Sequence, residues 1–283
     1  MKISEYTHSA WSIHAETPEQ VLKDVKEQFK YLETEEDILK LAHLIVHVAG
    51  EHLGKWQEGL ALLRNLKHNP LLKNKSDMLR FMAILELGNN PNISIEKFST
   101  SDQARIMAST SSALVSLGGL KSGENLFNQA VTKASSLEQS DPAFSSLAVS
   151  ANNIASKLED KAARSEIETS LMLKAAKTAR VFWEKAGTWK EVERAEYRLA
   201  HSYLKAEQFD MALKHADLCL EIVAENKNIP LEHFFALEVK VLALKATGKN
   251  EEALKSLNTM EVVFNTLSSE DKIWCESTLK KLS

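Results

Sequence analysis

His43 and His47 stand four residues apart in an apolar-periodic run. On a helix that spacing puts both imidazoles on one face, and Glu51 or His52 one turn on could add a further donor for a zinc-type ion. The same residues also suit a helix crossing filled by rings, and that reading is carried forward: no metal and no cofactor are expected. Gly118-Gly119-Leu120-Lys121-Ser122-Gly123 holds the letters of a phosphate loop, but its Lys and Ser precede the last Gly and no strand leads into it. It reads as a helix-to-helix turn. No His-Glu-x-x-His, Gly-x-Ser-x-Gly or calcium-loop pattern occurs, and the paired acids Glu35 and Glu36 sit at a helix start, where the dipole favours them. Cys219 and Cys275 each lie on a helical segment without a second Cys or a His at ligand spacing, so both are expected as buried thiols. No catalytic residue emerges, and the chain reads as a non-enzyme.

Positioning falls to helices. The chain has 283 residues, 44% apolar and 26% charged, with only nine Gly and five Pro. That is apolar enough for a sizeable core and too sparsely punctuated for a sandwich or a doubly wound sheet. Thr17-Pro18-Glu19-Gln20, Thr34-Glu35-Glu36-Asp37 and Asp141-Pro142 are cap-then-helix signatures. Gly54, Gly88, Gly118-Gly119, Gly187 and Gly248 fall at the ends of helical patterns, where a left-handed residue lets the chain turn. Inside the segments the apolar residues follow the helical period, as in Ile38, Leu41, Ala42, Ile45, Val48 and Ala49. An all-α fold of antiparallel helix pairs follows.

A net charge of -4 argues against nucleic acid as the main partner, since phosphate binding needs a cationic surplus. Residues 161 to 205 are locally basic, which is more often a solvated helix face than a site. No stretch approaches the length of a membrane span, and Met1 to Trp11 lacks the apolar core of a signal peptide. A cytoplasmic protein without membrane insertion is expected.

Repetition gives the most specific signal. Residues 196 to 219 carry Glu196, Leu199-Ala200, Tyr203, Phe209-Asp210, Ala212, Ala216 and Cys219. Related layouts recur at Leu237 to Met260, Met107 to Ala130 and Val46 to Leu66, with weaker units from Asp77 and Leu147. The pattern resembles the tetratricopeptide repeat, with divergent units. The resemblance implies a right-handed α-solenoid, with residues 1–37 as an N-terminal cap region, 38–267 as repeats and 268–283 as a C-terminal capping helix. In that last helix Ile273, Trp274, Leu279 and Leu282 are expected to cover the end of the core while Lys280 and Lys281 face water. His47 occupies a position where the repeat has a small residue, which suits a loosened crossing or a contact with the N-terminal helix.

In this family peptides lie in the concave groove lined by the first helix of each unit. Carried over, the groove positions are Arg105, Ser112, Asn152, Arg194, Tyr197, Arg198, His201, Lys205, Glu238 and Lys245. Arg194, Arg198 and Asn152 resemble part of a clamp for a carboxylate terminus; Ala148 stands where the clamp has a lysine. The resemblance implies a scaffold or adaptor for a protein or peptide, acidic or C-terminal. The alternative is a peptide-sensing regulator that changes a partner's activity. A metal-dependent enzyme built on His43 and His47 comes third. Partner identity and oligomeric state are not encoded in any motif.

Overall fold

The computed structural model describes residues 2–227 and 229–282; Met1 and Ser283, the outer ends of the two expected caps, lie outside them. Fourteen α-helices are described: α1 Ile3–Ile13, α2 Pro18–Val25, α3 Glu35–Val46, α4 Trp56–Lys67, α5 Ser76–Asn89, α6 Thr100–Ser116, α7 Leu120–Ala134, α8 Ala143–Glu159, α9 Glu166–Ala186, α10 Trp189–Lys205, α11 Phe209–Glu225, α12 Pro230–Ala246, α13 Asn250–Thr266 and α14 Ser269–Leu282. Among the described residues there is no strand. The chain divides into two compact units, Met1–Ser150 and Ala151–Ser283.

Local chemistry starts α3 as expected, whereas at α2 the Thr17 hydroxyl makes no cap bond and donates to the Ile13 carbonyl at 3.2 Å instead. Thr34 and Asp37 exchange hydrogen bonds across the first turn of α3, each side chain taking the other's backbone N–H at 3.1 and 3.0 Å. Pro18 opens α2 and Pro230 opens α12, where a missing donor costs nothing. In the first unit α4 packs on α5, α5 on α6 and α6 on α7; in the second, α9 packs on α10, α10 on α11, α11 on α12 and α12 on α13. Ala200 and Ala212 are fully buried, as their small size at the α10–α11 crossing requires. The weak unit from Asp77 has a first helix, α5, but residues 90–99 form no second one. The unit from Leu147 breaks between α8 and α9 and then runs to Ala186 as anticipated.

The glycines divide into two kinds. Gly54, Gly118 and Gly248 have φ of +63°, +87° and +74° and end helices in the left-handed region. Gly187 is instead extended, and Gly88 lies inside α5, so neither is a left-handed cap. Gly88 serves packing: a Cβ there would stand 2.5–2.7 Å from three ring carbons of Trp56. Alanine in place of a helical glycine ordinarily stabilises by about 1 kcal/mol. Gly88→Ala is expected to reverse that sign, costing about 1–3 kcal/mol by forcing the indole out of its slot. A lower urea midpoint at unchanged slope would show it, and a raised midpoint would refute it.

The C-terminal helix corrects one expectation. Ile273 and Trp274 are 79% and 63% exposed, whereas Cys275 and Leu282 are buried against Phe234, Val241 and Met260, with Leu279 packed alongside. Helical phase explains the change: seven residues separate Cys275 from Leu282, two turns on one face, and that face excludes Trp274. Lys280 and Lys281 are exposed as anticipated, and Cys219 and Cys275 are both free and buried.

Candidate functional site

In the second unit α10, α12 and α14 line a cleft of about 370 Å³, with Asn152 of α8 at its edge. Four of the groove residues read from the sequence meet there: Asn152, Arg194, Tyr197 and Arg198. Glu193, Leu231, Glu232, Phe235 and Trp274 complete the lining. The rings form a ladder, with His201 4.5 Å from Tyr197, Tyr197 5.9 Å from Phe235 and Phe235 5.0 Å from Trp274. Tyr197 donates to a Glu238 carboxylate oxygen at 2.7 Å. Burial, then the Glu238 charge, pushes its phenol well above the usual range.

Both arginines are held by acids of the same unit. Arg198 donates to Asn152 at 3.3 Å and pairs with Glu159, whose other oxygen accepts from Ser202. Burial raises the Glu159 carboxyl despite that pairing. Arg194 pairs with Glu232 at 3.0 Å, its own side chain 62% exposed and that of Glu232 4%. Glu232 lies in the first turn of α12, where backbone N–H groups favour an anion. Glu193 is buried, and its Oε1 has no hydrogen-bond partner. Burial, then the charge of Glu232, pushes its carboxyl up to about 8, so it holds a proton at neutral pH.

The remaining predicted positions lie elsewhere. His201 meets the Tyr197 ring edge-on outside the lining, and burial pushes its imidazole down to about 4. Lys205 is exposed at the end of α10, outside the cleft. Arg105 belongs to the first unit, where it contacts Asp102 and Ser146. Lys245 donates to the Leu282 carbonyl at 2.6 Å. Phe235 and Glu193 escaped the sequence reading, which places Trp274 over the end of the core and not in a cleft. The helical period could have placed Phe235, two helices on, opposite Tyr197. Nothing local could have aimed Trp274 at it.

A second group of side chains gathers in the first unit. A turn of π-helix, His47–His52, follows α3, closed by a Leu53 N–H to Val48 carbonyl bond of 3.1 Å. The His14 ring, just past α1, lies 5.0 Å from both others, tilted against His47 and edge-on to His52, and His47 and His52 face each other through their Nε2 atoms at 3.1 Å. His47 thus does touch the N-terminal helix, with Trp11 5.0 Å from its ring. His43 stacks on Phe81, with Trp11 tilted against it at 5.4 Å, and is not part of this group. Glu51 lies 3.1 Å from His47 Nδ1 and accepts from Ser112 at 2.8 Å, so the first-helix position Ser112 is buried rather than groove-lining. Burial pushes the Glu51 carboxyl up, but the His47 contact and the Ser112 bond together hold it below the usual range.

No protein-family model matches the chain and no curated protein matches it. Among solved structures it is similar to two crystal structures of nearly identical TPR-like repeats from a Podosopora anserina protein described as a putative kinesin light chain, one of them a point variant. Identity is 14% in both. The TM-scores are 0.51 and 0.52, and the match covers 82% of this chain and 96% and 97% of the others. The chain therefore has a TPR-like, all-α helical-repeat fold. No described helix is long and apolar enough to cross a membrane.

Proposed function

We propose that this chain is a protein-interaction scaffold, not an enzyme, that works in the cytoplasm and holds a peptide or protein segment in the cleft of α10, α12 and α14. One observation carries the reading: Trp274, 63% exposed, has its ring tilted against Phe235 at 5.0 Å and shares the cleft wall with the exposed Arg194. Aromatic and arginine anchors at the wall of a cleft are the composition of interface hot spots. Arg194 is the group that an acidic side chain or a terminal carboxylate would meet, in exchange with Glu232. Arg198, tied to Glu159, is the less available of the two. His201 supports the aromatic wall from behind, and Lys205 would serve longer partners only. A peptide-sensing regulator is the second reading, favoured by the buried Glu193 in the wall, whose Oε1 has no hydrogen-bond partner, since a ligand that supplies one has a means to alter α10.

Selection from a displayed peptide library tests the proposal. Wild type is expected to enrich peptides with a shared pattern, and Trp274→Ala and Arg194→Gln to bind them at least about 10-fold more weakly, the loss of one hot spot. Both changes fall on exposed side chains and leave the core alone. Equal binding by wild type and both variants would sink the cleft as the site.

A further inference from the structure

We propose that His14, His47 and His52 bind one zinc-class divalent cation. The three residues each offer a ring nitrogen, and these nitrogens lie within 4.8 Å of one another. The His47 and His52 Nε2 atoms are 3.1 Å apart, close to the roughly 3.3 Å between two ligands of a tetrahedral ion with bonds of about 2.0–2.1 Å. The widest pair needs to close by only about 1.5 Å to reach the same spacing, within the swing of a half-buried imidazole.

The outer nitrogens are already assigned. His14 Nδ1 lies 2.6 Å from the Trp11 carbonyl, an acceptor only, so Nδ1 carries the proton and Nε2 keeps its lone pair. His47 Nδ1 is 3.1 Å from the Glu51 carboxylate, which fixes the same tautomer, and Ser112 in turn orients Glu51. A carboxylate behind a ligating imidazole is the usual support of a metal-bound histidine. His47 and His52 cannot both point protons at each other across 3.1 Å. An ion between them satisfies both lone pairs once the His52 proton moves to Nδ1.

Backbone geometry is the independent argument. Residues five apart on an α-helix diverge by about 140° around its axis. Only the wider π turn that ends α3 brings His47 and His52 to one face. All three histidines are half-buried, so an ion can enter, and the Trp11 ring covers one side.

The test uses the tag-free full chain, stripped with chelator and titrated with zinc chloride by calorimetry, with cobalt as a spectroscopic substitute. One ion per chain is expected, with a cobalt spectrum lacking thiolate charge-transfer bands. His14→Gln and His52→Gln should each abolish saturable binding, and Glu51→Gln should weaken it about 10- to 100-fold. His43→Gln should bind as wild type does. Circular dichroism confirms folding of each variant, and His14 and His52 sit on separate elements, so a misfolded variant of one leaves the other decisive. Wild type without stoichiometric binding would overturn the site. So would wild-type affinity in His14→Gln and His52→Gln, or a thiolate band from cobalt.

Discussion

Arg198→Ala is expected to destabilise the second unit by about 3 kcal/mol, lowering its melting temperature by roughly 5–10 °C. The guanidinium is the cation that faces Glu159, a carboxylate only 7% exposed. Without it, Ser202 alone is left to hold a buried charge. Burial already pushes the Glu159 carboxyl up in the intact pair, so the variant escapes part of the penalty by taking up a proton. Its loss of stability should therefore be larger at pH 8 than at pH 5. Adding Glu159→Gln to Arg198→Ala removes the stranded charge, and most of the lost stability should return. An Arg198→Ala protein as stable as wild type by thermal melt would show that the pair is not formed. Arg194→Ala should cost less, because Glu232 keeps the N-terminal turn of α12 as its support.

Glu193→Gln is expected to raise stability at alkaline pH and to flatten its pH dependence. The folded carboxyl titrates at about 8, well above its usual value near 4.5. Between those values the folded state holds a proton that the unfolded chain releases. The contribution to stability is whole below the unfolded pKa and is lost as pH rises through the folded one. The slope approaches about 1.4 kcal/mol per pH unit over that window, summing to several kcal/mol by pH 8. Glutamine keeps the shape and cannot ionise, so denaturation midpoints of wild type and variant should converge near pH 5 and separate towards pH 8. Glu159, raised in the same direction, leaves a smaller residual slope in the variant. Parallel curves across that range would mean that Glu193 ionises normally in the fold.

Much of the architecture could be read from local chemistry. Capping needs partners only three residues apart, and the helical period repeats every turn, so Thr34 with Asp37, Pro18, Gly54 and the alanines at 200 and 212 all announce their roles within a few positions. The repeat pattern extended this to pairing, because small residues at a crossing imply the helix that crosses. Four cleft residues, Asn152, Arg194, Tyr197 and Arg198, are among the groove positions that the tetratricopeptide resemblance implies.

What the cleft holds around them was decided by packing across elements. Glu159 reaches Arg198 from 39 residues away, Glu232 reaches Arg194 from 38, and Trp274 meets Phe235 because Cys275 and Leu282 took the core face of α14. No interval in the sequence encodes those distances. The histidines show the same division most sharply. Four-residue spacing made His43 and His47 the natural pair, and on an unbroken α-helix they would be. One π turn rotated His52 into that place and the end of α1 supplied His14, so the sequence determined that imidazoles would gather there, and only the tertiary structure decided which ones.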